Sequence, residues 1–335
     1  MTSRSQGPTG KRATILDVAA AAGVSRQTVT RAMNDMAGIS QDTRERVRRL
    51  ATELGYTPSR FAKGLVQGAR ISVGLAIPDL TNPYFPAFAS SVVEAATNRG
   101  WNVVVDDYGH GTGSALDAAE RLAPHVDALI GYLGRESEMA QEMMGRRPVV
   151  SLDHPAGRSA GTISFDYHHA ARLALNHLVS LGCRNIAYLD SDQGRPSAGR
   201  GAAAAAVAEG LGVQLRRCEA STSAAGAKAV VATLLAAQEE IDGLLAFNDL
   251  MAAGALKALQ EAGRAVPGDC PVIGMDGIPL GELLTPELTT LSLDLRAVGR
   301  AAVDLLDGLL SGSLEAGSEE ARLVLLHTLV RRQSA

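Results

Sequence analysis

In the stretch GVSRQTVTRAMN (Gly23 to Asn34) the apolar residues Val29, Ala32 and Met33 stand at i, i+3 and i+4, the stripe of a helix with one buried face. The other face carries Arg26, Gln27, Thr30, Arg31 and Asn34, guanidinium forks, amides and a hydroxyl with no acid beside them. Upstream, Thr14 and Asp17 read as a capping-box-like start, and Ile15, Val18, Ala19 and Ala22 repeat at helical spacing until Gly23 ends the run. Ser25 is a good N-cap for the second helix, so the pair predicts a tight helix-turn-helix. A third helix follows from Ser40, with Val47, Leu50, Ala51 and Leu54 inward and Gly55 as its stop. Residues 13–57 therefore read as three short helices around one small core, behind a disordered tail at 1–12.

Residues 58–70 form a weaker pattern. Thr57 suits a cap and Pro58 a first helical position, but Arg60 to Val66 supplies barely two turns, interrupted by Gly64. The segment reads either as a plain interdomain linker or as a hinge that folds on a partner, with Phe61, Leu65 and Val66 as apolar candidates for a minor-groove wedge.

From residue 71 the rhythm changes. The apolar runs ISVGLAI, WNVVV, VDALIGYL, RPVVSL, NIAYL, DGLLAF and CPVIGM alternate with the helical stretches PAFASSVVEAATNRG, ALDAAERLA, HHAARLALNHLVSLG and LMAAGALKALQEAG. Alternation of this kind predicts doubly wound α/β structure with parallel sheets, and residues 71–335 hold enough units for two lobes with a cleft between them. The expected division is a first lobe of about 71–165 and 295–323 and a second of about 166–294 and 324–335.

Charge sharpens this division. Residues 1–70 hold 12 Lys/Arg against 5 Asp/Glu, whereas the remainder holds 20 against 31, a basic head on an acidic body. Such asymmetry points to a polyanion for the head, or to a solvated basic face with no partner. A helix-turn-helix inserts the first half of its second helix into the DNA major groove. Arg26, Gln27 and Arg31 are long enough to read base edges, while Ser25, Thr28 and Thr30 suit phosphate contacts. The plainer alternative is an αα-corner with a polar outer face. Cys183, Cys218 and Cys270 are too scattered for a disulfide framework or a zinc site, which fits a reducing compartment. Without a secretory h-region or a run of 18 apolar residues, the chain is expected to be soluble and cytoplasmic, with no membrane association.

Open α/β sheets bind ligands beyond the carboxyl ends of their strands. Here those ends carry Asp79, Asp106 and Asp107, Asp153 and His154, Asp190, Asn248 and Asp249, and Asp276. Together with Asn82, Tyr84, Phe85 and Arg200 they offer hydrogen-bonding forks and aromatic faces, chemistry suited to a small polyol such as a sugar. Each aspartate alone reads equally as a turn or cap residue. Enzyme readings find less support. GRPSAGRGAAAAA (Gly194 to Ala206) lacks both G-x-G-x-x-G and G-K-[ST], and is read as a helix N-terminus presenting Ser197 and Arg200. Ser151, Asp153 and His154 crowd one strand end, which forbids triad geometry, and the adjacent His168 and His169 point apart, so neither a catalytic set, a metal nor a cofactor is expected.

The motifs TILDVAAAAGVSRQTVTRAMN, GYTPSRFAKGLV, ISVGLAIPDLTNPYF, DGLLAFNDLMAAGALKAL, VIGMDGIP and PELTTLSLDLRAVGRAAVDLL resemble, in order, the LacI/GalR family of bacterial transcription regulators. The resemblance implies a small all-α helix-turn-helix domain joined to an α/β core of two lobes similar to periplasmic binding proteins. It further implies a homodimer on a pseudo-palindromic DNA operator, with Arg26, Gln27 and Arg31 as base readers and Leu65 as the hinge leucine in the minor groove. In the core it implies Asp79, Tyr84, Phe85, Asp153, Arg200, Asn248 and Asp276 as cleft residues. The function implied is a repressor of sugar uptake or catabolism genes relieved by a small sugar. A corepressor-dependent regulator of the same family and a sugar-binding transport protein are the alternatives, the latter at odds with the basic head and the lack of a leader sequence.

Overall fold

The computed structural model describes residues 15–33, 36–54, 70–109, 113–153, 159–192, 199–237 and 240–335. The chain divides into two compact units, Met1–Arg70 and Ile71–Ala335. The expected tail at 1–12, the Thr14 cap, the Gly55 stop, most of the 58–70 hinge with Leu65, and Asn34, His154 and Ser197 lie outside the described residues.

The first unit contains α1 (Ile15–Ala22), α2 (Arg26–Met33) and α3 (Gln41–Glu53). Gly23 takes φ +64, the left-handed conformation that ends α1 and turns the chain within three residues. The Ser25 hydroxyl then accepts the Thr28 N–H at 3.1 Å, and the Ser40 hydroxyl caps α3 in the same way through Thr43 at 3.2 Å. Val18, Ala19, Ala22, Val29, Ala32, Val47 and Ala51 make the core, with Leu50 and Met33 half-buried against it. Leu54 differs from its expected inward position and is 41% exposed, because it occupies the C-cap of α3, one residue past the packed turn.

The second unit is two parallel sheets flanked by helices. In chain order its elements are β1 (Ser72–Ile77), α4 (Tyr84–Thr97), β2 (Asn102–Asp107), α5 (Ala115–Leu122), β3 (Ala128–Gly131), α6 (Ser137–Met144), β4 (Val149–Leu152), β5 (Gly161–Phe165) and α7 (Tyr167–Ser180). There follow β6 (Asn185–Ser191), α8 (Arg200–Leu211), β7 (Gln214–Ala220), α9 (Ala224–Ala236), β8 (Gly243–Ala246), α10 (Asp249–Glu261), β9 (Val272–Asp276), α11 (Leu280–Leu283) and β10 (Thr289–Ser292). Helix α12 (Leu295–Ser311) and strands β11 (Arg322–Leu325) and β12 (Thr328–Val330) close the chain.

The first sheet has the order β11-β5-β4-β3-β1-β2 and is parallel throughout, while the second runs β12-β10-β9-β8-β6-β7 with only β12 antiparallel. In both the order reverses beside one central strand, β1 or β6, which opens a crevice between the carboxyl ends of β1 and β3 and of β6 and β8. The chain passes between lobes three times: after Phe165, after Ser292 and after β11. The last crossing comes later than the expected position after 323, because Arg322–Leu325 remains paired with Thr162–Phe165 of β5. Helix α4 also begins earlier than its apolar run indicates, at Tyr84, so that Pro86 falls in the first turn, where its missing N–H breaks no helical bond.

Candidate functional site

In the first unit Ser25, Arg26 and Gln27 are exposed at the start of α2, whereas Thr28, Thr30 and Arg31 are half-buried. Three of the hydroxyls already serve the helix. Ser25 and Thr28 share a 2.9 Å hydrogen bond, and the Thr30 hydroxyl donates to the Arg26 carbonyl at 3.1 Å. The Arg31 guanidinium lies across Gly38, where an added Cβ would stand 3.1 Å from Nη1. The long side chains at the front of the helix, Arg26 and Gln27, are thus the ones displayed, as a groove-reading helix requires.

In the second unit, side chains from both lobes meet at the crevice. From the first lobe come Asn82, Tyr84, Phe85, Tyr132 and Asp153; from the second come Tyr167, Arg200, Phe247 and Asp276. Arg200, at the first position of α8, is sandwiched between the rings of Tyr167 and Phe247, 4.8 and 4.4 Å from their centroids. It faces Asp153 across the lobes at 3.5 Å and donates to the Phe247 carbonyl at 3.1 Å. The Tyr167 hydroxyl donates to the same Asp153 at 2.6 Å, so one carboxylate of the first lobe is held by two groups of the second. Asn82 makes the second polar approach across the crevice, near enough to Asp276 to favour the ionised form of its carboxyl. The Tyr84 and Tyr132 hydroxyls are 2.8 Å apart, and Phe85 packs edge-on against both rings.

The two cleft aspartates both have positive φ, +59 at Asp153 and +133 at Asp276, conformations that cost a non-glycine residue energy and persist only where neighbours enforce them. Burial, and then the nearby carboxylate of Asp249, pushes the Asp276 carboxyl well above the usual range. Burial pulls the Arg200 pKa down, yet Tyr167, Asp153 and Asp276 more than offset it and raise it above the ordinary arginine value.

Other strand-end residues have different duties. Asp79 closes a turn by accepting the Thr81 N–H and hydroxyl at 2.7 and 2.6 Å. Asn248 caps α10 through the Met251 N–H at 2.8 Å, and is almost fully buried beside Phe247. Asp106 is clamped by both arms of Arg121, and Asp190 by Arg217 at 2.7 Å, which withdraws them from the rim. Among the described residues no group of three His, Cys, Asp or Glu side chains could hold a metal ion, and burial raises the thiols, that of Cys270 to about 12. Sequence reasoning passed over Tyr132 and Tyr167 as site residues. The only available signal was their position one or two residues from strand or helix ends.

His327 lies in the third crossing, its ring 5.9 Å from Phe165 and 5.8 Å from Tyr167. Burial, and then the Arg200 charge, holds its pKa down to about 3. The unfolded chain gains a proton near the ordinary histidine value of about 6.5 and the folded one does not, so stability should be lost as pH falls below that value. Between pH 7.5 and pH 5 the wild type should lose about 2 kcal/mol more stability than His327→Phe. Urea unfolding of both proteins at the two pH values measures it, and equal slopes would contradict the assignment.

The comparisons with known proteins decide the family. Residues 14–59 match the family described as "Bacterial regulatory proteins, lacI family", and residues 175–335 match a "Periplasmic binding protein-like domain". The ribose operon repressor of Halalkalibacterium halodurans is 33% identical over 88% of this chain and 89% of its own. The chain belongs to the LacI family. Its LacI-family fold is shared with a regulator from Arthrobacter sp. FB24 solved in complex with lactose, 58% identical over 80% of this chain and 100% of that one, with a TM-score of 0.77. The Lac repressor dimer bound to operator and the anti-inducer ONPF is 29% identical, over 97% of this chain and 99% of that one, with a TM-score of 0.72. The protein is thus a DNA-binding transcriptional regulator of the LacI family, with a helix-turn-helix unit and a two-lobed core. No helix among the described residues is long and apolar enough to cross a membrane.

Proposed function

We propose that this regulator is a cytoplasmic homodimeric repressor, without enzymatic activity, whose grip on a pseudo-palindromic operator is relieved by a small neutral sugar bound between the lobes. The observation that carries the reading is the pair of polar approaches across the crevice, Asp153 with Arg200 and Tyr167, and Asp276 with Asn82. A polyol hydroxyl donates to one group and accepts from another, so it can insert between such groups, and the faces of Phe247 and Tyr84 suit its C–H surface. Phe85, Asn248 and the Asp79 turn complete the lining in this reading.

Charge argues for a neutral ligand. The guanidinium of the cluster is already opposed by Asp153, and Asp276 adds a second carboxyl, so among the described residues the cleft has no uncompensated cation to receive a phosphate or carboxylate. The lactose complex of the Arthrobacter relative makes a neutral disaccharide the first candidate. On the DNA side, Arg26, Gln27 and Arg31 read bases, Ser25, Thr28, Thr30 and Asn34 fix the register, and Leu65 enters the minor groove. A sugar that fits one lobe arrangement better than another shifts that equilibrium, and DNA affinity changes by linkage.

Calorimetric titration with lactose, galactose, glucose, ribose and glucose 6-phosphate tests the ligand class. A neutral sugar should bind at least about tenfold more tightly than the phosphate. Preference for the phosphate would overturn the reading.

A further inference from the structure

Asp249 is fully buried, one residue beyond the Asn248 cap, and belongs to none of the contacts described for the cleft. Its carboxylate nevertheless collects two donors from one small region. Oδ1 accepts the Thr290 hydroxyl at 2.6 Å and Oδ2 accepts the Ile278 N–H at 2.9 Å, and the Gly277 N–H is near enough to favour its charge. The Gly277 N–H lies 3.3 Å from the Thr290 hydroxyl oxygen as well. These groups surround the turn that leaves β9 immediately after Asp276.

The strand is built to admit this carboxylate. A Cβ at Gly274 would stand 2.2 Å from Asp249 Oδ1, so the glycine is what allows the carboxyl to lie against β9. Gly277 has φ +70, and a Cβ there would stand 2.1 Å from the Ser292 hydroxyl oxygen. Between these glycines Asp276 is held at φ +133, which requires bonds on either side of it strong enough to offset the strain. Hydrogen bonds from backbone N–H groups to a buried carboxylate are of that kind.

We propose that Asp249 is the positioning residue of the effector site: it fixes the 276–278 turn from behind and thereby aims the Asp276 carboxyl into the cleft. The effect on sugar binding rests on the proposed function, whereas the effect on the turn does not. An asparagine of equal size can keep its oxygen on the 277–278 side by turning its NH2 to the Thr290 hydroxyl, but the bonds it accepts there are neutral rather than charge-assisted and are correspondingly weaker.

Hydrogen exchange of the sugar-free, full-length protein provides the first readout. Asp249→Asn should speed exchange of the Gly277 and Ile278 amides at least about tenfold relative to the Val272–Met275 interior of β9. Acceleration spread evenly over β9 and α10, or none at all, would overturn the proposal. If Asp249→Asn does not fold, Thr290→Val removes one donor and should loosen the same two amides selectively; a uniform or absent effect would count against it equally. Lactose affinity is the second readout. Asp249→Asn and Asp276→Asn should each weaken it about tenfold, and the double variant should be no more than about twofold worse than either single one, because the first acts through the second. Independent, multiplying losses would overturn the proposal. Lactose-indifferent wild type would count against lactose as effector, and the exchange readout would still decide the role of Asp249.

Discussion

Asp276→Ala is expected to leave operator affinity near that of the wild type while making it unresponsive to sugar. The carboxyl ends β9, lies near Asn82 of the opposite lobe, and belongs to a residue held at φ +133. It is therefore placed both to accept sugar hydroxyls and to report the approach of the lobes. Deleting a charged or strongly polar partner of this kind costs about 1.5 to 3 kcal/mol, which raises the dissociation constant roughly tenfold to more than a hundredfold. A variant that binds sugar weakly cannot favour the low-affinity state, since only differential affinity shifts the equilibrium. Titration with lactose beside a melting curve checks this. Unchanged affinity with a lowered melting temperature would reduce Asp276 to a turn residue.

Arg200→Ala should be the more damaging substitution because it removes a charge that the site has enclosed. The guanidinium is stacked on both faces by Tyr167 and Phe247, and only 15% of its side-chain surface is exposed, against 18% for Asp153. Without it Asp153 keeps the Tyr167 hydroxyl but loses its counter-charge. Breaking one side of a buried pair costs about 3 to 5 kcal/mol, and the residual exposure here puts the expectation near about 3 kcal/mol. In a unit of this size that corresponds to a fall in melting temperature of roughly 6 to 12 °C, together with loss of detectable sugar binding. Arg200→Lys should recover part of the stability and little of the binding, because an ammonium cannot stack between two rings. A melting temperature within about 2 °C of the wild type for Arg200→Ala would contradict this account of the site.

The helix-turn-helix could be read from sequence because each of its helices carries its own cap, stripe or stop: Ser25, Ser40 and Gly23 act locally. The seven apolar strands were equally visible. Strands β5, β7, β10, β11 and β12 were not, and β10 shows why. Its residues Thr289 and Thr290 are fully buried, but their hydroxyls are satisfied by the Ala335 carbonyl and by Asp249, 46 and 41 residues away. Tertiary partners make these polar residues core residues, and no local pattern records that. Strand β7 is an edge strand with two adjacent exposed arginines, Arg216 and Arg217, and so lacks an apolar run.

The site divides along the same line. The topological rule places ligands at strand ends, and the structure gathers Asn82, Tyr84, Phe85, Asp153, Arg200 and Asp276 there. A strand-end aspartate, however, has several fates: Asp79 closes its own turn, Asp106 and Asp190 meet arginines 15 and 27 residues on, and Asp249 supports Asp276 from behind. Which fate applies depends on partners that the sequence does not place. Nothing local marks Tyr132 and Tyr167 as cleft residues; their hydroxyls reach Tyr84 and Asp153, 48 and 14 residues away.

In the proposed function, occupancy of the cleft and affinity for DNA are one linked equilibrium. The affinity of the full-length protein for an operator found by genomic footprinting, measured with and without a saturating neutral sugar that calorimetry shows to bind, tests that linkage. The sugar should weaken operator binding at least about tenfold, with binding to random DNA nearly unchanged. Operator affinity that is the same in the presence and absence of every sugar the protein binds would contradict it.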